Sequence, residues 1–345
     1  MALLELHPTD ACNLACSKCY YDRSSTHIGL DWLVTLLSEW RPRGIVLVGG
    51  GEPTLYRDPG GQGGFEDLVG MIRRILPECK IGLITNGTAI PPGHWQQHVT
   101  WVRISLDAAT PETYLGLKGK DYFTQVRNNL IRYLQGPIRS VGVGFLCTAL
   151  NVGEVNFFVQ NMLELSRNQC RDQPERLNVQ FRLFRTRATG RGAHPSSERE
   201  LVCSPLQLDE LKRAFDRLNR VLEVRTFLHQ ATNWDKLIAP TAESMKPSRF
   251  CFRALVFRLL RADGRAFPCF AHVDEAEYVL AEKLGQDSAT YVKESEQRAV
   301  PFFFREGSGC GEQQCPLMLE SHLFGSYLEG GLVDLPDRAK RSPFF

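Results

Sequence analysis

The sequence predicts an α/β protein whose main body is an open, partial (β/α)6 barrel, followed by a small C-terminal extension of β-hairpin and helix. Three observations predict it. Short apolar runs alternate with stretches of helical periodicity, the pattern of a parallel sheet with right-handed crossovers. Six such units fit within about 185 residues, too few to close an eight-stranded barrel. The ends of these runs carry cysteines, glycines, Glu52, Asn86 and Asp107, and the C-terminal ends of its strands are where a parallel barrel places its chemistry.

The elements follow in order. Leu3–Leu6 reads as the first strand, and Ile28–Trp40 carries Leu30, Leu33, Leu36 and Leu37 at helical spacing. Gly44–Val48 is a continuous apolar, β-branched run, as in a strand covered on both faces. The glycine-rich loop Asp58–Gly64, expected to be mobile, leads into a helix over Phe65–Leu76. Lys80–Thr85 is the third strand and ends in Asn86-Gly87; Trp101–Leu106 is the fourth and ends in Asp107. An amphipathic helix from Tyr122 to Leu134 precedes the fifth strand, Val141–Leu150. Asn151 is expected to cap the next helix, Glu154–Leu165, and Leu177–Leu183 is the sixth strand. A polar connector over 194–205 leads to a strongly amphipathic helix, Leu206–Leu222. The expected divisions are a core over 1–200, a connecting helix within 201–234, an extension over 235–330 and a tail over 331–345.

Composition sets the outer limits. A chain of 345 residues and 39.0 kDa can bury a large core. Hydrophobic content of 43%, charged content of 23% and a formal net charge of +2 give no reason to expect bulk nucleic-acid binding. Glu5, His7 and Asp10 interrupt the N-terminus, so no secretory signal is expected, and no apolar stretch of about eighteen residues predicts a membrane span. Eleven cysteines without such a signal point to metal chemistry in a reducing compartment, and the expected location is cytoplasmic.

The first strand runs into Asp10-Ala-Cys-Asn-Leu-Ala-Cys-Ser-Lys-Cys-Tyr20, which sets Cys12, Cys16 and Cys19 in one tight loop with C-x3-C-x2-C spacing. Three thiolates so placed can serve a single metal centre. A structural zinc ion wants a fourth protein ligand, for which only His7 or His27 lies near; a [4Fe–4S] cube leaves one iron free for a group that is not protein. The second strand ends in Gly49-Gly-Gly-Glu-Pro-Thr54. Glycines there let backbone approach a ligand closely, and Glu52 offers a carboxylate that can hold an ammonium group.

Together, about thirty residues apart, these two motifs resemble the radical S-adenosylmethionine (radical SAM) superfamily. The resemblance implies a [4Fe–4S] cluster on Cys12, Cys16 and Cys19, with SAM chelating the open iron through its amino and carboxylate groups. It implies that Gly50, Gly51, Glu52 and Pro53 bind the SAM amino group and that Asn86 lies beside the site. It further suggests Ser105 for the ribose, with Asp107 on the same strand face in a catalytic or structural role. Arg182 is the expected partner of the SAM carboxylate, out of the basic group that includes Arg185, Arg187 and Arg191. Gly142 and Gly144 would let adenine lie flat on the fifth strand. One position departs from the family. The residue before the third cluster cysteine is commonly aromatic and packs on adenine; here it is Lys18, with Tyr20 two places later.

A second cysteine group follows. Cys251 and Cys269 flank two β-rich runs that meet at Asp263-Gly264, a hairpin signal, and Cys310 and Cys315 sit in a glycine-rich loop. Four cysteines in two pairs suit a zinc knuckle. They also resemble the shorter, twitch form of the SPASM extensions in this superfamily, which implies an auxiliary [4Fe–4S] cluster on Cys251, Cys269, Cys310 and Cys315. Cys79, Cys147, Cys170 and Cys203 read as small buried residues. Cys147 carries an added expectation: on the fifth strand, facing the interior, its thiol would be a hydrogen donor to a substrate radical.

The resemblance implies reductive cleavage of SAM and abstraction of a substrate hydrogen atom, with electrons from a flavodoxin or ferredoxin. A ribosomally made peptide is the expected substrate, ending in a crosslink, an epimerised centre or backbone excision. With the first strand starting at residue 3, no separate N-terminal leader-binding domain is expected, so a peptide would call for a substrate-recognition protein. The alternatives are a twitch-type dehydrogenase or epimerase of a sugar or aminocyclitol, and a non-enzymatic iron–sulfur or zinc scaffold.

Overall fold

The computed structural model describes residues 2–184, 200–234, 253–270, 273, 276–283 and 287–303. Strands β1 (Leu3–Leu6), β2 (Gly44–Leu47), β3 (Lys80–Thr85), β4 (Trp101–Ser105), β5 (Ser140–Cys147) and β6 (Leu177–Leu183) form the predicted series. Between them lie α1 (Leu30–Trp40), α2 (Phe65–Ile75), α3 (Pro111–Lys118), α4 (Phe123–Gln135) and α5 (Val155–Gln169). After β6 come α6 (Pro205–Leu218), α7 (Leu222–Ala231), a single turn α8 (Arg253–Val256), β7 (Phe257–Leu260), β8 (Ala266–Phe267) and α9 (Ser288–Phe303).

One open sheet runs in the order β6-β5-β4-β3-β2-β1-β7-β8. Among the described residues the sheet has eight strands where six were expected, because the first strand of the predicted extension pairs parallel with β1, Leu3 opposite Phe257 and Leu6 opposite Leu260. β8 returns antiparallel to β7 through a turn at Gly264, whose φ of 85° suits glycine. All four β7 residues are buried, as a strand covered on both faces requires.

Alternation sorts each strand into two faces. On β5, Val141, Val143, Phe145 and Cys147 join the main hydrophobic core, and Phe145 meets Phe158 of α5 at 4.4 Å between ring centroids. The opposite face carries Gly142 and Gly144 on β5, Arg103 and Ser105 on β4, and Gln180 and Arg182 on β6. The apolar face anchors the helices; the polar face lines the concave side at which the strand ends gather.

Several boundaries differ from expectation. The chain leaves β5 at Thr148, where the Asn151 Oδ1 atom accepts from Thr148 N at 2.6 Å, so the strand ends short of Leu150. The expected helix Leu206–Leu222 is two helices with a turn over 219–221 between them; α6 is opened by a reciprocal Ser204–Gln207 capping box. Asp58–Gly64 is tied down, since the Asp58 carboxylate accepts from Leu30 N at 2.8 Å and from Gln62 N at 3.0 Å. Among the described residues no helix is long and apolar enough to cross a membrane.

Candidate active site

β1 delivers the cysteine loop to the C-terminal end of the sheet, and backbone hydrogen bonds secure both flanks of the loop. On one side Gly51 N donates to Thr9 O at 3.0 Å and Glu52 N to Ala11 O at 2.8 Å. On the other, Ala15 N donates to Lys118 O at 3.0 Å and Ser17 N to Leu117 O at 3.1 Å, at the C-terminus of α3. The approach is close enough to demand glycine. A Cβ on Gly51 would lie 2.2 Å from Ala11 O, and one on Gly119, at φ 70°, would lie 2.6 Å from Ala15 O.

Cys12, Cys16 and Cys19 are free thiols of intermediate exposure. Burial is the largest influence on the Cys12 and Cys19 thiols and pushes both up. His7 is buried against Glu5 and Tyr21, and His27 Nδ1 accepts from Arg57 N at 3.3 Å, so each has a role away from the thiols. Among the described residues no three His, Cys, Asp or Glu side chains converge as a single metal ion requires. In a [4Fe–4S] cube each thiolate takes a different iron, so the three sulfurs surround the group instead of meeting at a point. Three free thiols on one loop are the donor set that a cube with one open iron uses.

Beside the loop, Glu52 is 2% exposed and its carboxylate gathers the neighbouring strand ends. Oε1 accepts from Thr85 Oγ1 and Thr54 Oγ1, both at 2.7 Å, and Oε2 from Asn86 N at 2.7 Å. Burial is the largest influence on this carboxyl and raises it, against those donors. Asn86 Nδ2 reaches Asn13 Oδ1 at 2.9 Å, and Asn13 Nδ2 reaches Thr88 Oγ1 at 2.8 Å, which ties the cysteine loop to the end of β3. Pro53 opens the short helical turn Pro53–Leu55 that turns the chain away from the site.

Asp107 does not share a strand face with Ser105. β4 ends at Ser105, and Asp107 takes φ 58°, in the left-handed region uncommon for a non-glycine residue. Its Oδ2 accepts from Lys18 and, at 2.7 Å, from Lys118; its Oδ1 accepts from Leu146 N at 2.7 Å. Burial alone would raise this carboxyl, but the two ammonium groups hold it far below the usual carboxylate range. Asn151, expected as a helix cap, donates instead to Asp107 O at 2.7 Å and Leu146 O at 2.8 Å. Ser105 offers its carbonyl to Lys118 Nζ at 2.6 Å.

Other expectations change with the geometry. Arg103 and Arg182 lie over Gly144, with the Arg103 guanidinium reaching across β5 to Gln180. Arg182 is exposed on the concave face. Tyr20 stacks on Phe184 at 6.0 Å between centroids. Cys147 lies on the helix-facing side of β5, fully buried, with its thiol pushed far up by burial; it does not face the interior. Cys79, Cys170 and Cys203 are buried as read. Cys269 follows β8 at intermediate exposure, whereas Cys251, Cys310, Cys315, Arg185, Arg187 and Arg191 lie outside the described residues.

No family model matches the chain. Over 199 residues it is 25% identical to the GTP 3',8-cyclase of Vibrio parahaemolyticus, covering 54% of this chain and 54% of that protein. It is 27% identical over 168 residues to the GTP 3',8-cyclase of Actinobacillus succinogenes, covering 45% and 48%. The chain thus matches about half the length of these curated relatives. Its fold is similar to that of Streptococcus suis SuiB bound to precursor peptide SuiA, with a TM-score of 0.60 at 15% identity over 92% of this chain and 70% of that one. Native anSMEcpe with bound AdoMet gives a TM-score of 0.61 at 17% identity over 92% and 87%. All of these proteins are radical SAM enzymes. In sequence and in fold the chain is similar to radical SAM enzymes.

Of the residues expected in a radical SAM site, the structure gathers the three loop cysteines, Gly50 to Pro53, Asn86, Ser105 and Asp107 at adjoining strand ends. Sequence reasoning missed Asn13, Thr85 and Lys118. It also missed Asp10 and Arg261, whose side chains meet at 3.1 Å over Gly50, with the Arg261 guanidinium 4.9 Å from the Tyr21 ring centroid. Thr110, Pro111 and Gly119, an N-cap, an N1 proline and a C-terminal glycine, are the signals that mark α3 and hence Lys118.

Proposed function

We propose that this chain is a radical SAM enzyme that acts on a ribosomally made peptide. The observation that carries the chemistry is the junction of Cys12, Cys16 and Cys19 with Gly50–Glu52 through paired backbone bonds and the Asn13–Asn86–Thr88 side chains. A [4Fe–4S] cluster on the three thiolates would leave one iron for SAM. SAM held there would, on one-electron reduction, be cleaved at a C–S bond to methionine and a 5'-deoxyadenosyl radical, the group that would take a hydrogen atom from the substrate.

The chain's own residues would hold these groups. Gly50 and Gly51 present bare backbone beside the cluster loop, Glu52 fixes the β2 end, and Arg182 offers a guanidinium to a carboxylate. The open sheet leaves its concave side accessible at Arg182, Ser105 and Gln180, and a site of that kind admits an extended chain. The peptide reading draws support from the similar folds of SuiB with precursor peptide SuiA and of anSMEcpe with the Cp18Cys peptide. Cys251, Cys269, Cys310 and Cys315 are proposed to hold an auxiliary [4Fe–4S] cluster, with a flavodoxin- or ferredoxin-like protein as electron donor.

Anaerobic reconstitution followed by dithionite and SAM tests the reading. The expected result is about eight irons per chain and 5'-deoxyadenosine by chromatography. Intact SAM under strong reductant overturns it. Recovery of a modified peptide after co-expression with candidate precursors supports the substrate class; modification of a sugar alcohol alone overturns that part.

A further inference from the structure

Beneath the cysteine loop, three ionisable groups do not balance in charge. Lys18 and Lys118 both donate to one oxygen, Oδ2 of Asp107, while Oδ1 is committed to Leu146 N at 2.7 Å. The side chains of Lys18, Lys118 and Asp107 are 10%, 3% and 2% exposed. Two ammonium groups share one carboxylate, which leaves a net positive charge shielded from water. Arg103 and Arg182 add further positive charge beside it, since both approach Gly144, whose carbonyl accepts from Asp107 N at 3.1 Å. The buried carboxylate of Glu52 stands on the other flank, towards Cys12.

The position of this charge is specific. Lys18 lies between Cys16 and Cys19 in the chain, and the Lys118 carbonyl holds Ala15 N, one residue before Cys16, at 3.0 Å. We propose that Lys18 and Lys118 form a charge-tuning pair that raises the reduction potential of the cluster on Cys12, Cys16 and Cys19. The inference rests on the proposed function, since it needs that cluster.

Reduction by an external low-potential one-electron donor adds one negative charge to a group already bearing three thiolates. A positive charge fixed nearby in a low-dielectric setting favours the reduced form over the oxidised one. No proton moves and no bond changes within the triad.

The test is an anaerobic redox titration of the reconstituted full chain with dithionite and mediator dyes. Electron paramagnetic resonance would follow the cluster whose signal changes on adding SAM. Lys18→Gln is expected to lower its midpoint and Lys18→Arg to preserve it. Asp107→Asn breaks the same ion pair but removes negative charge, so the midpoint should rise or hold. A merely structural pin predicts a fall in both Lys18→Gln and Asp107→Asn, and that result overturns the proposal. An unchanged midpoint in Lys18→Gln does the same. Should Asp107→Asn fail to take up iron, Lys118→Gln supplies the second reading, with a fall expected and no change overturning. A chain without a SAM-sensitive cluster removes the proposed function itself, whereas a cluster indifferent to Lys18 and Lys118 removes only this inference.

Discussion

The backbone amide of Asn86 donates to Glu52 Oε2 at 2.7 Å, so the carboxylate that closes β2 is held by the residue that closes β3. Glu52 thus stands as a bracket between strand ends as well as a candidate ligand. Replacing it with alanine strands the donors of Thr54, Thr85 and Asn86. Glu52→Ala should lose about 2–3 kcal/mol of stability, read by urea denaturation of the apo chain, together with SAM binding after reconstitution. An unchanged midpoint in urea would show that water replaces the carboxylate at no cost.

Cys16→Ala should abolish 5'-deoxyadenosine formation while leaving the fold intact. The loop is sewn down by backbone bonds at Ala15 and Ser17, which the substitution does not touch. Iron content and far-ultraviolet circular dichroism separate the two effects. Full activity in this variant would rule out the N-terminal loop as the site of SAM cleavage.

Gly51→Ala places a methyl group 2.2 Å from Ala11 O. The loop must shift, at about 1–3 kcal/mol for overpacking, and the cysteines shift with it. The expected signature is reduced iron retention after gel filtration, with thermal unfolding only a few degrees lower.

Asp107 titrates far below its unfolded value of about 3.9, because Lys118 and Lys18 outweigh the penalty of burial. A depressed carboxyl stabilises fully above its unfolded pKa, and that contribution is lost as the pH falls through its folded one. Asp107→Asn should therefore cost about 3–5 kcal/mol near neutrality, as for a broken buried ion pair, and progressively less in strong acid. A stability difference that does not depend on pH would show that the carboxylate charge has no part in it.

How far the sequence speaks depends on distance along the chain. The barrel strands, the cysteine loop, Gly50–Glu52 and the Asp263-Gly264 turn are local patterns, and all appear where periodicity and turn chemistry put them. α3 escaped notice because only Tyr114, Leu117 and Lys118 are buried in it, and a buried lysine breaks the apolar periodicity that marks a helix. The purpose of Lys118 depends on Asp107, and that of Lys18 on the same carboxylate 89 residues away. Such pairings exist only once the sheet has brought the strand ends together. Cys147 shows the same lesson in reverse. Which way its thiol faces is set by Phe145 packing on Phe158, a contact between elements.

Arg261→Ala removes the guanidinium that meets Asp10 beside Gly50, at a site where both side chains are nearly inaccessible. The loss should reach about 3–5 kcal/mol, as for a buried ion pair broken from one side. Calorimetry of the apo chain reads the stability, and iron uptake reads whether the loop still forms. A neutral result would mean that the hairpin does not brace the cysteine loop.

The pairing of β1 with β7 bears on how the molecule is made. The fourth strand position of β1 pairs with Leu260, about 250 residues further on, and closing so long a loop must be met by contacts that form late. Until β7 leaves the ribosome, β1 has one free edge, and the segment that bears the three thiols hangs from it. Arg261, immediately after β7, then arrives beside Asp10. The first motif in the chain is thereby braced only after β7 and Arg261 have been made.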